Sequence, residues 1–225
     1  MSTLTQEEQE KLSEFLTTRK LCVGLGNLNT ACSIGTINLF LSNTLTARIP
    51  KCMSEVIGKW IVYMQDLMPA ELINSSRWKQ LLVLAAGTGR EKEKERFAII
   101  EEWFWTTVLP CFTYPADEFT ARTDQQEPIT MSAEQVFLVF DEAVAGLKSA
   151  TYSSNNAILA LHKLIWLLHA FIEHNNDSTD NKIASILCIS KLLKFAVNLQ
   201  DKDVVIEDMW KVFAPCELLE KLVNV

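Results

Sequence analysis

Pro50-Lys51-Cys52-Met53-Ser54-Glu55-Val56-Ile57-Gly58-Lys59-Trp60-Ile61-Val62-Tyr63-Met64-Gln65-Asp66-Leu67-Met68-Pro69 decides the fold class. Met53, Val56, Ile57, Trp60, Ile61, Met64, Leu67 and Met68 recur at i, i+3, i+4 and i+7, the spacing that gathers apolar side chains on one face of an α-helix. Pro50 suits a first helical position, where its missing N–H is not needed, and Pro69 stops the run. The expectation here is a helix from Pro50 to Met68.

The same period extends outward in both directions. Leu12, Phe15 and Leu16 form one face of a helix from about Thr5 to Arg19, and Thr5 with Glu8 reads as a capping box. Residues 31–42 are apolar on most sides and predict a buried helix. Ser75 or Ser76 caps a helix whose inner stripe holds Trp78, Leu81, Leu82 and Ala85. Arg90 to Leu109 reads as one long helix closed by Pro110, with charges in its first turns and Trp103, Phe104 and Trp105 beyond. Trp103 and Trp105 are ~200° apart on a helix and cannot share a face. Three longer helices are predicted near 132–150, 154–173 and 181–200, then two short ones around Trp210 and after Pro215. Alternation of the strand type is almost absent. The fold class is therefore all-α, a compact multi-helix orthogonal bundle of about ten helices without a significant sheet. We expect a single domain over 1–225, with the polar, proline-punctuated connector 111–130 as an internal boundary.

The first half carries specific words. Cys22-Val23-Gly24-Leu25-Gly26, Ala31-Cys32-Ser33-Ile34, the Pro50 helix, Asn74-Ser75-Ser76-Arg77-Trp78, Leu84-Ala85-Ala86-Gly87-Thr88-Gly89-Arg90 and Thr107-Val108-Leu109-Pro110 stand in order, and Phe213-Ala214-Pro215-Cys216-Glu217 lies near the end. Over about 21–110 and 213–223 the chain resembles a family of uncharacterised helical proteins from phages and prophage-rich bacteria. The mixed apolar segment 131–200 departs from the alanine-rich middle of that family. The resemblance carries no activity or functional residue. It implies a mobile-element setting, in which small proteins bind host components.

Charge and cysteine use narrow the function classes. The formal charge is −7, so contact with a phosphate backbone needs a local basic patch, and the sequence shows none. No run approaches the ~18 apolar residues of a membrane span. Cysteines 22, 32, 52, 111, 188 and 216 are widely spaced and mostly sit in apolar runs, so we expect free thiols in a cytoplasmic protein. His162 and His169 are seven residues apart, ~10 Å along a helix, too far to ligate one ion. His169 and Glu173 supply only two ligands, so no metal or other cofactor is expected. Composition leaves a Ser, Cys and His triad open, but no G-x-S-x-G elbow places one, and enzyme activity is not the favoured reading.

Two glycine turns are the candidate ligand-binding elements. Gly24 and Gly26 precede a helix start, and Gly87-Thr88-Gly89 leads into Arg90. Free N–H groups, the helix dipole and an arginine all favour an anion such as a nucleotide. Arg77 and Arg48 are possible helpers, and Asp66 lies near the same helix junctions. The bland alternative pairs Arg90 with Glu93. The leading expectation is a non-catalytic protein that acts by binding another protein, with binding of a small anionic ligand second and an unrecognised hydrolase third.

Overall fold

The computed structural model describes residues 4–112, 132–149, 155–175, 178–199 and 206–225. The expected connector at 111–130 therefore falls, from 113 onward, outside the described residues. The chain is all-α, with one short parallel strand pair as its only sheet among the described residues. It divides into two compact units, Met1–Ile100 with Phe213–Val225, and Glu101–Val212.

In the first unit, α1 (Gln6–Thr17) starts on the expected capping box and buries Leu12 and Leu16. Strands β1 (Lys20–Leu21) and β2 (Thr30–Ala31) follow, then α2 (Ser33–Ser42), α3 (Glu55–Gln65), α4 (Ala70–Ile73) and α5 (Ser76–Ala86). α6 (Glu93–Trp103) leaves the unit, and α11 (Pro215–Val223) returns to it. α3 opens at Glu55 and not at Pro50, because Ser54 caps it by accepting from the Ile57 N–H. Pro50 instead begins a turn closed by the Met53 N–H to Pro50 carbonyl bond, 3.0 Å. Met53 is fully buried all the same, which is why the apolar period runs past the helix start.

α2 packs on α1 and α3, while α5 packs between α1 and α11. The core is dominated by Trp60 and Trp78, both fully buried with ring centroids 6.1 Å apart. The Trp78 indole N–H finds a buried partner in Ser33 Oγ at 3.1 Å, as a buried indole requires.

The second unit begins in the last turn of α6. That helix loosens into a π-helical turn, Phe104–Val108, and then tightens into a 3-10 turn, Leu109–Phe112, so Pro110 lies inside a turn and does not end one straight helix. α7 (Ala133–Ser149), α8 (Asn155–Asn175) and α9 (Thr179–Leu199) pack pairwise on one another. Phe140, Leu168, Phe171, Cys188 and Leu193 are their buried interior. Lys191 of α9 pairs with Asp141 of α7. α10 (Ile206–Phe213) closes the unit and ends on the first residue of the returning segment.

Candidate functional site

β1 and β2 run parallel, with Lys20 opposite Thr30 and Leu21 opposite Ala31. A parallel pair normally needs a crossover of about a dozen residues or more. Here the loop 22–29 manages it by folding back on β2, with Asn27 N–H on the Thr30 carbonyl at 2.7 Å and Cys32 N–H on the Leu25 carbonyl at 3.3 Å. Gly24 and Gly26 take φ of +68° and +76° to make the reversal. A Cβ at Gly26 would stand 2.1 Å from the Thr30 carbonyl oxygen and 2.6 Å from Cys22 Sγ, so this position accepts no side chain.

Polar side chains at the C-terminal ends of α3 and α4 hold the loop in place. In register, the next ladder bond would join Ser33 N–H to the Cys22 carbonyl. The buried Gln65 carboxamide stands there instead, accepting from Ser33 N–H at 2.8 Å and donating to the Cys22 carbonyl at 2.5 Å. Asn74 acts like a neighbouring strand for β1, accepting from Leu21 N–H at 2.8 Å and donating to the Leu21 carbonyl at 3.1 Å. Asp66 Oδ1 accepts from Gly24 N–H at 2.9 Å. Asn27 Oδ1 accepts from Asn29 and Thr30 N–H within the loop. The Arg19 guanidinium donates to the Leu28 carbonyl and lies 4.6 Å from the centre of the Phe15 ring.

A loop secured this way would ordinarily turn its apolar side chains inward. Val23, Leu25 and Leu28 instead stand 56%, 42% and 63% exposed. Leu25 also walls a cavity of about 190 Å³, together with Ile34, Ala47 and Val62 and with Gly24 and Asp66 beside them. Cys32, also in its wall, caps α2 by accepting from Gly35 N–H at 3.2 Å. A helix N-terminus favours a thiolate, yet burial outweighs that and pushes the Cys32 thiol up.

At each place where the sequence suggested an anion, the structure sets one of the protein's own groups. Asp66 takes the Gly24 N–H. In the Gly87–Arg90 turn, the N–H groups of Gly87, Thr88 and Gly89 donate to the carbonyls of Leu84, Ala85 and Cys52. The Thr88 hydroxyl accepts from Ser54 N–H at 3.0 Å and donates to the Ala85 carbonyl at 2.8 Å. The buried Arg96 guanidinium donates to the Gly89 and Thr88 carbonyls at 3.0 and 2.9 Å.

Arg90 pairs with Glu55 at 2.7 Å and not with Glu93, the partner in the alternative to ligand binding. Glu93 is occupied elsewhere: its carboxylate crosses to the α3 N-terminus, bound by the Ser54 hydroxyl and by Glu55 N–H at 2.6 Å. Arg77 reaches α11, pairing with Glu217 at 2.5 Å and Glu220 at 2.8 Å. Arg48 is exposed, and its carbonyl accepts from Asn38 Nδ2 at 2.8 Å. Of the sequence candidates, then, Gly24 and Gly26 share one site with Asp66, whereas Arg77 and Arg90 serve separate contacts. An anionic ligand at Gly24 or at the α3 N-terminus would have to displace a carboxylate. Gln65 and Asn74 were not singled out, because each acts across tens of residues and leaves no local pattern; nor was Arg96, which joins the nearby 88–89 turn to Leu222.

Among the described residues of the second unit, Glu101, Trp105, His169 and Glu173 stand together. Trp105 meets His169 edge-on at 5.2 Å, and His169 Nδ1 is 3.7 Å from Glu173. Burial holds the Glu101 carboxyl above its ordinary range against a hydrogen bond from Trp105. Among the described residues no three side chains of the metal-ligating kind converge, and no helix is long and apolar enough to cross a membrane. Fold and site together define an all-α chain that, among its described residues, presents an apolar loop beside a small cavity. The chain matches no protein-family model, no curated protein and no solved structure.

Proposed function

We propose that this protein is a non-catalytic docking protein and that the loop 22–29 is its contact surface. The observation that carries this reading is the exposure of Val23, Leu25 and Leu28 on a loop held by Gln65, Asp66, Asn74 and Arg19. Exposed apolar side chains are common singly, but three in six residues, one of them walling a cavity, are the composition expected of a binding surface. Because the loop is already tied to the body of its unit, little ordering entropy remains to be lost on binding. The partner we propose is a protein of the host cell, in keeping with the mobile-element setting that the sequence resemblance implies.

A photo-crosslinking amino acid at position 28, in the full chain expressed in its own cells, should give one dominant protein adduct. The same group at exposed Glu142 should not. Burying a leucine on binding contributes about 1.5–3 kcal/mol, so Leu25→Asp should reduce the adduct by about tenfold or more. An adduct unchanged by Leu25→Asp, or equal adducts at 28 and 142, would reject this surface.

A further inference from the structure

The cavity beside the loop is small. Ligand pockets for whole cofactors or drug-sized molecules run to about 300–1,000 Å³, against about 190 Å³ here, so its volume suits one side chain. Its walls include Leu25, Ile34, Ala47 and Val62, all apolar, and it is bordered by a single carboxylate, Asp66. Leu25, Ala47 and Asp66 are exposed, which puts the opening at the surface.

Asp66 gives one oxygen to Gly24 N–H, and a carboxylate has capacity for further donors. Among the described residues no Lys or Arg forms an ion pair with it. Arg19, which flanks the loop, is committed to the Leu28 carbonyl and the Phe15 ring. An apolar surface pocket bordered by one unmatched carboxylate favours a cation next to an apolar group and disfavours an anion there. The net charge of −7 acts in the same direction over longer range.

We infer that the partner segment carries a branched aliphatic side chain, which enters the cavity, directly beside a lysine or arginine, which meets Asp66. This rests on the docking reading above and names the chemistry of the segment that docks. The probes are four capped dipeptides: acetyl-Leu-Lys-amide, acetyl-Leu-Gln-amide, acetyl-Leu-Glu-amide and acetyl-Ala-Lys-amide. Each is titrated into the full chain labelled with ¹⁵N, following the amides of Gly24, Leu25 and Val62.

Leu-Lys should bind about threefold to fivefold more tightly than Leu-Gln, the scale of a solvent-facing ion pair, with Leu-Glu weakest. Ala-Lys should lose most of the shift. Asp66→Asn keeps an acceptor for Gly24 N–H while removing the charge, and should make Leu-Lys and Leu-Gln equal. Ala47→Phe, placed at an exposed wall, should abolish binding of both. Equal binding of Leu-Glu, shifts that map elsewhere, or no shift with any dipeptide would overturn the inference. Crosslinking at position 28 judges the docking surface independently, so an adduct there without dipeptide binding rejects this partner chemistry alone.

Discussion

Gly24 and Gly26 sit two residues apart with nearly the same positive φ, yet their surroundings differ. A Cβ at Gly24 meets nothing within 4 Å, whereas one at Gly26 strikes the Thr30 carbonyl. Gly24→Ala should therefore cost only the backbone strain, about 1 kcal/mol. Gly26→Ala adds a clash with main chain and should cost about 3 kcal/mol or more. Equal denaturant midpoints for the two variants would mean that the loop relaxes freely. Gln65 supplies a second residue-scale test. Gln65→Leu fills similar space but leaves the Ser33 N–H and the Cys22 carbonyl without their buried partner. Each such group costs about 1–3 kcal/mol, so urea denaturation should show a loss of about 2–6 kcal/mol. A loss below ~1 kcal/mol would show that water replaces the amide.

At the scale of elements, the π-helical turn Phe104–Val108 settles the conflict between Trp103 and Trp105. Trp103 is buried, while Trp105 turns to Phe104 at 4.8 Å and to His169. Sequence periodicity shows that two such tryptophans cannot share a face, but widening of one turn depends on tertiary packing and carries no local signature. Phe104 is 1% exposed, and Phe104→Ala should cost ~3–5 kcal/mol; melting within a degree or two of wild type would contradict its burial. Glu101, one turn earlier, adds a pH dependence. Its carboxyl is raised by burial, so the folded state holds its proton more tightly than the unfolded chain does. Its contribution is present below the ordinary carboxylate value and is lost as pH rises through the raised one. Glu101→Gln should thus be relatively more stabilising at about pH 7 than at about pH 4, and an identical difference at both pH values would exclude the effect.

Across the whole molecule, what sequence could show was whatever obeys a short period. The all-α class, the α1 capping box and the buried stripes of α3 and α5 were legible because each rests on spacings of three or four residues. The start of α3 was misplaced because Met53 continues the apolar period outside the helix. The β1–β2 pair was missed because two-residue strands cannot display alternation, and its register depends on Gln65 and Asn74 from distant helices. Of the candidate site, the two glycines and Asp66 were readable; the exposure of Val23, Leu25 and Leu28 is a property of the folded surface. The sequence words quoted from 21–110 and 213–223 fall largely within the first unit, Met1–Ile100 with Phe213–Val225.

That unit is completed by α11, which the chain reaches only after more than a hundred intervening residues, and Arg96 bonds to its last turn. Its buried guanidinium donates to the Thr88 and Gly89 carbonyls and, through Nε, to the Leu222 carbonyl at 3.3 Å. Burial lowers its pKa, but an arginine so lowered is still charged near neutral pH. Replacing it by methionine retains much of the apolar stem and removes three charge-assisted bonds, each worth about 1.5–3 kcal/mol. Non-additivity brings the expected loss to about 3–5 kcal/mol. The surface pairs of Arg77 with Glu217 and Glu220 are half exposed and contribute little, so they cannot hold α11 in its place. Hydrogen exchange followed by mass spectrometry should therefore show faster exchange across 215–223 in Arg96→Met, and hardly any change there in Arg77→Met. If both variants protect α11 as well as the parent does, its hold rests on Leu218, Leu219 and Leu222 against α5, and Arg96 serves only the 88–89 turn.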